Sequence, residues 1–272
     1  FSFGDVESIL KVNVYVHSQE FYVMTGSGGA LGIAEAYILG YWSADDVVML
    51  MRIILRNRSI LLSLNNGFAK LLSPINKLIH RSRQNTLKGS KENILAHYDL
   101  SNDFYKLWLD PTMTYSCAYF SKSNTNLEDA SIEKLDRICR KLNLTENDSV
   151  LEIGTGWGSF SIYAAKNYGC NIKTTTISDA QYEYAKARVA QEGLESKINV
   201  INKDYRKLDG QYDKIVSIEM FEAVGEENWD TYFQTIYNRL SFGGTAVLQT
   251  ITIDNQRFQN YRKNTYFIQR YI

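Results

Sequence analysis

Cysteine is scarce in this sequence, and no apolar run is long. The three cysteines, Cys117, Cys139 and Cys170, are widely spaced and odd in number. This pattern is typical of a reducing cytoplasm and argues against a disulfide framework or a metal site. No apolar run approaches the roughly 18 residues that a membrane-spanning helix needs, and the first residues show no basic-then-apolar signal pattern. We therefore expect a cytoplasmic protein without a bound metal, and we expect both ends to be cut from a longer chain.

Acidic residues are missing from one stretch of the sequence. The net charge of the chain is zero, yet residues 47–91 contain no Asp or Glu. The same stretch carries nine basic residues, which are Arg52, Arg56, Arg58, Lys70, Lys77, Arg81, Arg83, Lys88 and Lys91. Such a block is typical of a solvated face, of a surface that binds an anionic membrane, or of a surface that binds nucleic acid. Composition leaves these three alternatives open.

The first part of the chain has the pattern of a small α/β or β-rich domain. Lys11–Val16 alternates as a half-buried strand does, and residues 21–24 are a second strand candidate before a run of glycines. Ser43 is the predicted N-cap of an apolar helix that continues through Leu55. Residues 68–81 carry apolar side chains at helical spacing with basic residues elsewhere. This amphipathic helix is expected either on a membrane surface or packed on its own domain.

Two domains are expected. The polar, glycine-containing segment 85–93 is a predicted linker. We therefore assign residues 1–90 to a smaller N-terminal domain with a basic helical linker, and residues 91–272 to a second domain.

The second domain is organised around residues 150–160, VLEIGTGWGSF. A short apolar run ends in an acid and three closely spaced glycines and then becomes helical, as in the first strand, turn and helix of a nucleotide-type fold. The spacing is not G-x-G-x-x-G, and residues 174–178 lack the ribose-binding acid of nicotinamide enzymes. An ordinary glycine-rich turn remains the alternative to a cofactor site. The turn resembles motif I of class I S-adenosylmethionine (SAM) methyltransferases.

Strands and helices alternate after this turn. The pattern predicts strands near residues 171–177, 198–201, 212–219 and 245–253, with helices near residues 127–144, 179–192 and 229–240. This alternation indicates an α/β fold with a doubly wound, mostly parallel sheet of the Rossmann type. Ligands bind at the carboxyl ends of such strands, so we expect Gly154, Thr176, Asp204 and residues 219–222 to converge there.

Two non-periodic segments rich in aromatic, acidic and small residues precede this alternation. They are residues 97–105, HYDLSNDFY, and residues 109–120, LDPTMTYSCAYF. Such segments are typical of a site wall. They resemble the signatures of the cyclopropane-fatty-acid synthase and mycolic-acid cyclopropane synthase family, and this resemblance extends through nearly the whole chain.

The resemblance implies SAM as the cofactor and a set of residues that bind it. These are Tyr115, Ser116, Gly154, Gly156, Thr176, Gln181, Asp204 and Tyr205. Hydroxyl, amide and carboxylate groups can bond the ribose and adenine, and a tyrosine ring can stack on the base. The alternative for Tyr205 is a half-buried surface aromatic.

The resemblance also implies the chemistry of the acceptor. An alkene that accepts the SAM methyl group becomes a cation, which must lose a proton for a ring to close, so the site should be dry and hold one base. In the family this base is thought to be a bicarbonate, and the corresponding groups here are Cys117, Glu222 and the backbone near Ile251. Many members have His where this chain has Ala223 and Gln249, and Gln cannot transfer a proton at neutral pH.

The expected activity is SAM-dependent cyclopropanation of an unsaturated acyl chain in a phospholipid. The partner would be the anionic inner membrane surface, bound peripherally through the basic stretch, and not nucleic acid. A homodimer is a candidate assembly. Two alternatives remain, a SAM-dependent methyltransferase of another lipid or small molecule and a lipid-binding homologue without turnover.

Overall fold

The computed structural model describes residues 4–5, 7–57, 101–122, 125–256 and 258. The chain divides into two compact units, of which the first includes residues 4–57 and the second includes residues 101–253. The predicted domain boundary near residue 90, the predicted helix over residues 68–81 and the predicted linker lie outside the described residues.

Residues 4–57 of the first unit contain a two-stranded antiparallel sheet and two helices. In chain order these are β1 (Val14–Val16), α1 (Glu20–Ile38), β2 (Trp42–Ala44) and α2 (Val47–Arg56). The strand predicted over Lys11–Val16 is confirmed in its second half. Its predicted half-burial is wrong, because all three residues of β1 are exposed.

Two further expectations for the first unit are wrong. Residues 21–24 form part of α1 and not a strand. This helix is kinked at Gly29, which has φ 57°, and a Cβ on Gly32 would lie 1.9 Å from the Met24 carbonyl oxygen. The glycines therefore permit a kink and a close backbone approach and do not form a loop. Ser43 lies in β2, and the N-cap of α2 is Asp46, whose carboxylate accepts the Met49 N–H at 2.8 Å.

The described part of the second unit, within residues 101–253, is a five-stranded parallel sheet with helices on both faces. Its elements are α3 (Asn102–Lys106), α4 (Leu127–Leu142), β3 (Ser149–Ile153), α5 (Ser159–Tyr168), β4 (Asn171–Thr176), α6 (Asp179–Gln191), β5 (Ile198–Asn202), β6 (Tyr212–Ile218), α7 (Trp229–Arg239) and β7 (Leu240–Gln249). The strand order is β5-β4-β3-β6-β7, and every pairing is parallel. The predicted α/β fold with a parallel doubly wound sheet is confirmed.

The two faces of the sheet bury separate apolar clusters. Val150 packs with residues of α4, α5 and α6, including Leu135 and Phe160. The next residue, Leu151, packs on the opposite face with Tyr232 and other residues of α7. This alternation follows from the two-residue period of a strand, and it fixes β3 in the middle of the three layers.

Strand register brings the carboxyl ends of the strands to one edge. Ile153 pairs with Thr175, Thr176 pairs with Asn202, and Ile218 pairs with Gln249. The turns that follow these strands therefore meet at the same edge, as the parallel arrangement requires.

Among the described residues, no helix combines the length and apolar character that crossing a bilayer requires. The same part of the chain contains no cluster of His, Cys, Asp and Glu suited to a metal ion.

Candidate active site

The glycine-rich turn after β3 forms an open cradle. The N–H groups of Gly154 and Thr155 both donate to the Thr175 carbonyl oxygen at 3.0 Å, which ties the turn to β4. Gly154 has φ 103° and Gly156 has φ 54°, conformations that favour glycine. A Cβ on Gly156 would meet no atom within 4 Å, whereas one on Gly154 would lie 3.2 Å from the Met220 Cβ. The space over Gly156 suits close approach of a ligand to the backbone.

A buried carboxyl supports this turn from below. Glu152, at the end of β3, is 2% exposed, and its Oε2 accepts hydrogen bonds from the hydroxyls of Ser161 and Thr174. Burial raises the pKa of Glu152 to about 7. Desolvation disfavours its charged form more than the two hydroxyls favour it. Glu152 therefore joins β3, β4 and α5 beneath the cradle.

The segment before the sheet is fastened to the cradle by polar contacts. Trp157 Nε1 donates to Asn102 Oδ1 at 2.8 Å. The Thr112 carbonyl oxygen accepts from Ser159 Oγ at 2.7 Å and from Arg188 Nη1 at 2.9 Å. Arg188 Nη1 also donates to the Trp157 carbonyl at 3.0 Å. Residues 102–112 and the motif I turn are thus one assembly, as the site-wall hypothesis requires.

Four aromatic rings line this assembly. The Tyr105 ring lies 4.7 Å from Trp157 and 5.4 Å from Tyr115, and Tyr115 lies 5.4 Å from Trp108, all between centroids. Tyr105 and Trp157 are buried, whereas Tyr115 and Trp108 are partly exposed. Burial and the nearby Glu219 carboxylate raise the pKa of Tyr115, which keeps its hydroxyl neutral. The predicted cofactor residue Tyr115 therefore borders an aromatic wall beside the turn.

Ser116 is held by a lysine that sequence reasoning missed. Lys134 of α4 is 4% exposed, and its Nζ lies 2.5 Å from Ser116 Oγ. Burial lowers the pKa of Lys134 to about 8, although the carboxylates around it oppose this shift. The sequence did contain a signal, because Lys134 falls on the same helical face as the buried Leu135 and Ile138. A cation on an apolar stripe indicates a buried partner.

The other predicted cofactor residues lie at the ends of β4 and β5. Thr176 Oγ1 donates to Gln181 Oε1 at 2.9 Å, and both residues are buried. Asp204 binds the Arg206 guanidinium through both carboxylate oxygens, at 2.9 Å and 2.6 Å. The Tyr205 ring packs against Tyr232 at 5.6 Å, so part of this ring contributes to the core. The structure brings these residues to the expected edge, and their binding roles stay predictions.

A second polar group surrounds Cys117. Glu219 Oε1 accepts the Cys117 backbone N–H at 2.9 Å and Gln249 Nε2 at 2.8 Å. The same Gln249 nitrogen lies 3.3 Å from Cys117 Sγ. Partial desolvation of the exposed Cys117 thiol and the Glu219 carboxylate raise its pKa, so the thiol form is favoured at neutral pH. Glu219 was expected at this edge, but its contact with Cys117 was not foreseen.

Glu222 lies after β6 and adds to this polar group, where it contacts the residues that follow β7. Its Oε1 accepts a hydrogen bond from Thr250 Oγ1 at 2.8 Å and another from the Ile251 N–H. Residues 249–251 therefore contact both Cys117 and Glu222. The structure brings together all four predicted acceptor-side residues. It shows the Ile251 N–H bonded to Glu222 itself.

The parallel sheet, the cradle and the polar strand ends define the Rossmann-like fold of class I SAM methyltransferases. The mycolic acid cyclopropane synthase CmaA1, in a complex with SAH and CTAB, has this fold at a TM-score of 0.60 and 36% identity, over 63% of this chain and 60% of that one. The chain belongs to the mycolic acid cyclopropane synthetase family, whose sequence profile matches residues 85–272.

Curated relatives extend the similarity over most of the chain. Tuberculostearic acid methyltransferase UfaA1 of Mycobacterium tuberculosis is 35% identical over 91% of this chain and 59% of its own length. Cyclopropane-fatty-acyl-phospholipid synthase of Escherichia coli (strain K12) is 38% identical over 88% of this chain and 60% of its own length. The chain thus spans about three fifths of these relatives.

Proposed function

We propose that this protein is an enzyme that transfers a methylene group, derived from the methyl of SAM, to the double bond of an unsaturated acyl chain in a phospholipid. The product is a cyclopropane fatty acid. The observation that carries this proposal is the meeting of the glycine cradle and the Cys117–Gln249–Glu222 wall at one edge of the sheet. Membership of the cyclopropane synthetase family supports it.

The cradle fits the cofactor. Bound SAM supplies a sulfonium methyl group that is activated for transfer. Gly154 and Gly156 allow close approach of the backbone, and the Lys134 ammonium fixes the Ser116 hydroxyl beside Tyr115. Thr176 and Gln181 are proposed to bind the ribose, and Asp204 and Tyr205 the adenine. The task of these residues is to bind and orient the cofactor and to exclude water.

On the acceptor side, the chain must hold a proton acceptor near the new methyl group. Cys117, Glu222 and the Ile251 N–H are proposed to hold a bicarbonate there. Two anions repel each other, so Glu222 or the bicarbonate would carry the shared proton. Glu222 must exchange its bond to the Ile251 N–H for one to the bicarbonate.

Gln249 favours a second candidate function, in which the cation loses a proton from a neighbouring chain carbon instead of from the new methyl group and leaves a methyl-branched, unsaturated chain. Its amide donates to Glu219 and contacts Cys117, but an amide cannot carry a proton away. The relative UfaA1 is named for tuberculostearic acid. The phospholipid acceptor of the first candidate is supported by the name of the Escherichia coli relative. Attachment to an anionic membrane surface and homodimer formation belong to the same proposal.

Incubation with methyl-labelled SAM and vesicles of mixed anionic phospholipids with unsaturated chains tests the candidates. A labelled cyclopropane acyl chain supports the first function, and a labelled branched chain supports the second. Cofactor binding without lipid labelling would support the remaining alternative, a lipid-binding homologue without turnover.

A further inference from the structure

Glu219 has an unusual backbone conformation. Its φ of 47° lies in the left-handed region, which non-glycine residues seldom adopt. Its N–H donates to the Gln249 carbonyl oxygen at 2.8 Å, which continues the β6–β7 ladder. A strained residue persists where the surrounding structure determines it strongly, and such residues concentrate at functional sites. The conformation aims the Glu219 side chain at the site.

The Glu219 side chain joins two parts of the chain that are distant in sequence. One oxygen, Oε1, accepts both the Cys117 N–H and the Gln249 side-chain N–H. A primary amide can rotate, and the hydrogen bond to a carboxylate selects the orientation that presents Nε2. This orientation places the same nitrogen 3.3 Å from Cys117 Sγ. Glu219 is therefore the common partner of two residues assigned to the acceptor side.

The Glu219 carboxylate interacts electrostatically with three titratable side chains. The Glu219 carboxylate favours the protonated form of the buried Lys134 and disfavours the ionised forms of Cys117 and Tyr115. The carboxylate thus has a cation nearby and two neutral acids as neighbours. This arrangement suits a fixed acceptor of hydrogen bonds.

We propose that Glu219 is a positioning residue that holds Cys117 and Gln249 in one arrangement on the acceptor side of the site. It acts through these two residues and does not itself take the substrate proton. This inference rests on the proposed function only for the identity of the acceptor.

The first test measures alkylation of Cys117 by iodoacetamide at pH 8. Cys117 is exposed, whereas Cys139 and Cys170 are buried, and a Cys117→Ser variant gives the background. Desolvation and the Glu219 carboxylate both raise the pKa of the thiol. Glu219→Gln removes the carboxylate's part of this shift, so alkylation should accelerate at least about threefold. The matched control is Glu227→Gln, which alters an exposed acid nearby. Equal rates in wild type and Glu219→Gln would overturn the contact on which the proposal depends.

The second test measures lipid methylation and SAM affinity in two variants. Glu219→Ala removes the acceptor, and turnover should fall at least about tenfold while the Kd for SAM stays within about twofold. Glu219→Gln keeps an acceptor oxygen and should retain turnover within about threefold. If turnover falls as much in Glu219→Gln as in Glu219→Ala, the carboxylate acts directly and the positioning role is overturned. Full turnover in Glu219→Ala would overturn it as well.

Thermal unfolding of each variant separates these effects from misfolding. If Glu219→Ala does not fold, the turnover of Glu219→Gln decides. An inactive wild type would refute the proposed function, and the alkylation test would still decide on Glu219.

Discussion

Replacement of Glu152 by Gln should change how stability depends on pH. Glu152 is 2% exposed, and burial raises its pKa from 4.5 to about 7. The folded pKa is above the unfolded value, so the folded state binds the proton more tightly. The resulting stabilisation is fully present below pH 4.5 and is lost as pH rises through about 7. Gln resembles the protonated carboxyl and does not titrate.

The magnitude follows from the two pKa values. Full ionisation of the buried carboxyl costs about 3 kcal/mol relative to its protonated form. With the same two values, linkage gives a loss of about 1 kcal/mol at pH 5.5 and about 3 kcal/mol at pH 8.5. Wild type should therefore lose about 2 kcal/mol relative to Glu152→Gln across this interval.

Urea unfolding of both proteins, followed by tryptophan fluorescence at several pH values between about 5.5 and 8.5, measures this difference. The exposed Glu195, changed to Gln, is the matched control and should leave the pH dependence unchanged. A difference between wild type and Glu152→Gln that stays constant with pH would refute the reasoning. It would mean that the buried carboxyl keeps one protonation state throughout.

Four further predictions concern the site, the glycine-rich turn and the membrane. Glu222→Gln should abolish ring formation and leave the Kd for SAM nearly unchanged, because Glu222 is assigned to the acceptor side. Gly154→Ala should lower stability by more than about 1 kcal/mol, since its φ is 103° and Met220 lies 3.2 Å from the added Cβ. Gly156→Ala should chiefly weaken SAM binding, since it fills the open space of the cradle. Vesicle binding through residues 47–91 should weaken as salt rises.

Three results would contradict these predictions. Product formation by Glu222→Gln would remove Glu222 from the mechanism. Equal SAM affinity of Gly156→Ala and wild type, measured by calorimetry, would place the cofactor elsewhere. Vesicle sedimentation that is unchanged in high salt would indicate apolar insertion, or no role for the basic stretch.

Much of the second unit was predictable because each element carries a strong local signal. Three such signals belong to short segments. They are the apolar stripe of α4, the acid near the end of β3 with the glycines that follow the strand, and Ser178 as the N-cap of α6. The parallel order followed from the alternation of strands with helices. The predicted strand over residues 245–253 was displaced, since β7 spans Leu240–Gln249. Segment ends are set by tertiary pairing, here with β6.

The contacts of the site were less predictable because they join residues that are distant in sequence. The Cys117–Glu219 hydrogen bond spans 102 positions, and the Asn102–Trp157 bond spans 55. The order of residues within a short segment carries no information on contacts between segments so far apart. The error at residues 21–24 has a different cause. Aromatic and β-branched residues favour strands, but these residues lie in the first turns of α1.

The fate of the transferred hydrogens distinguishes ring formation from methyl branching. The protein is incubated with SAM that carries a fully deuterated methyl group and with anionic vesicles whose phospholipids have monounsaturated chains. The released acyl chains are then analysed by mass spectrometry and NMR. The account predicts a cyclopropane ring whose new carbon retains two deuterium atoms. A chain that retains all three in a methyl branch, or lipid without deuterium, would contradict it.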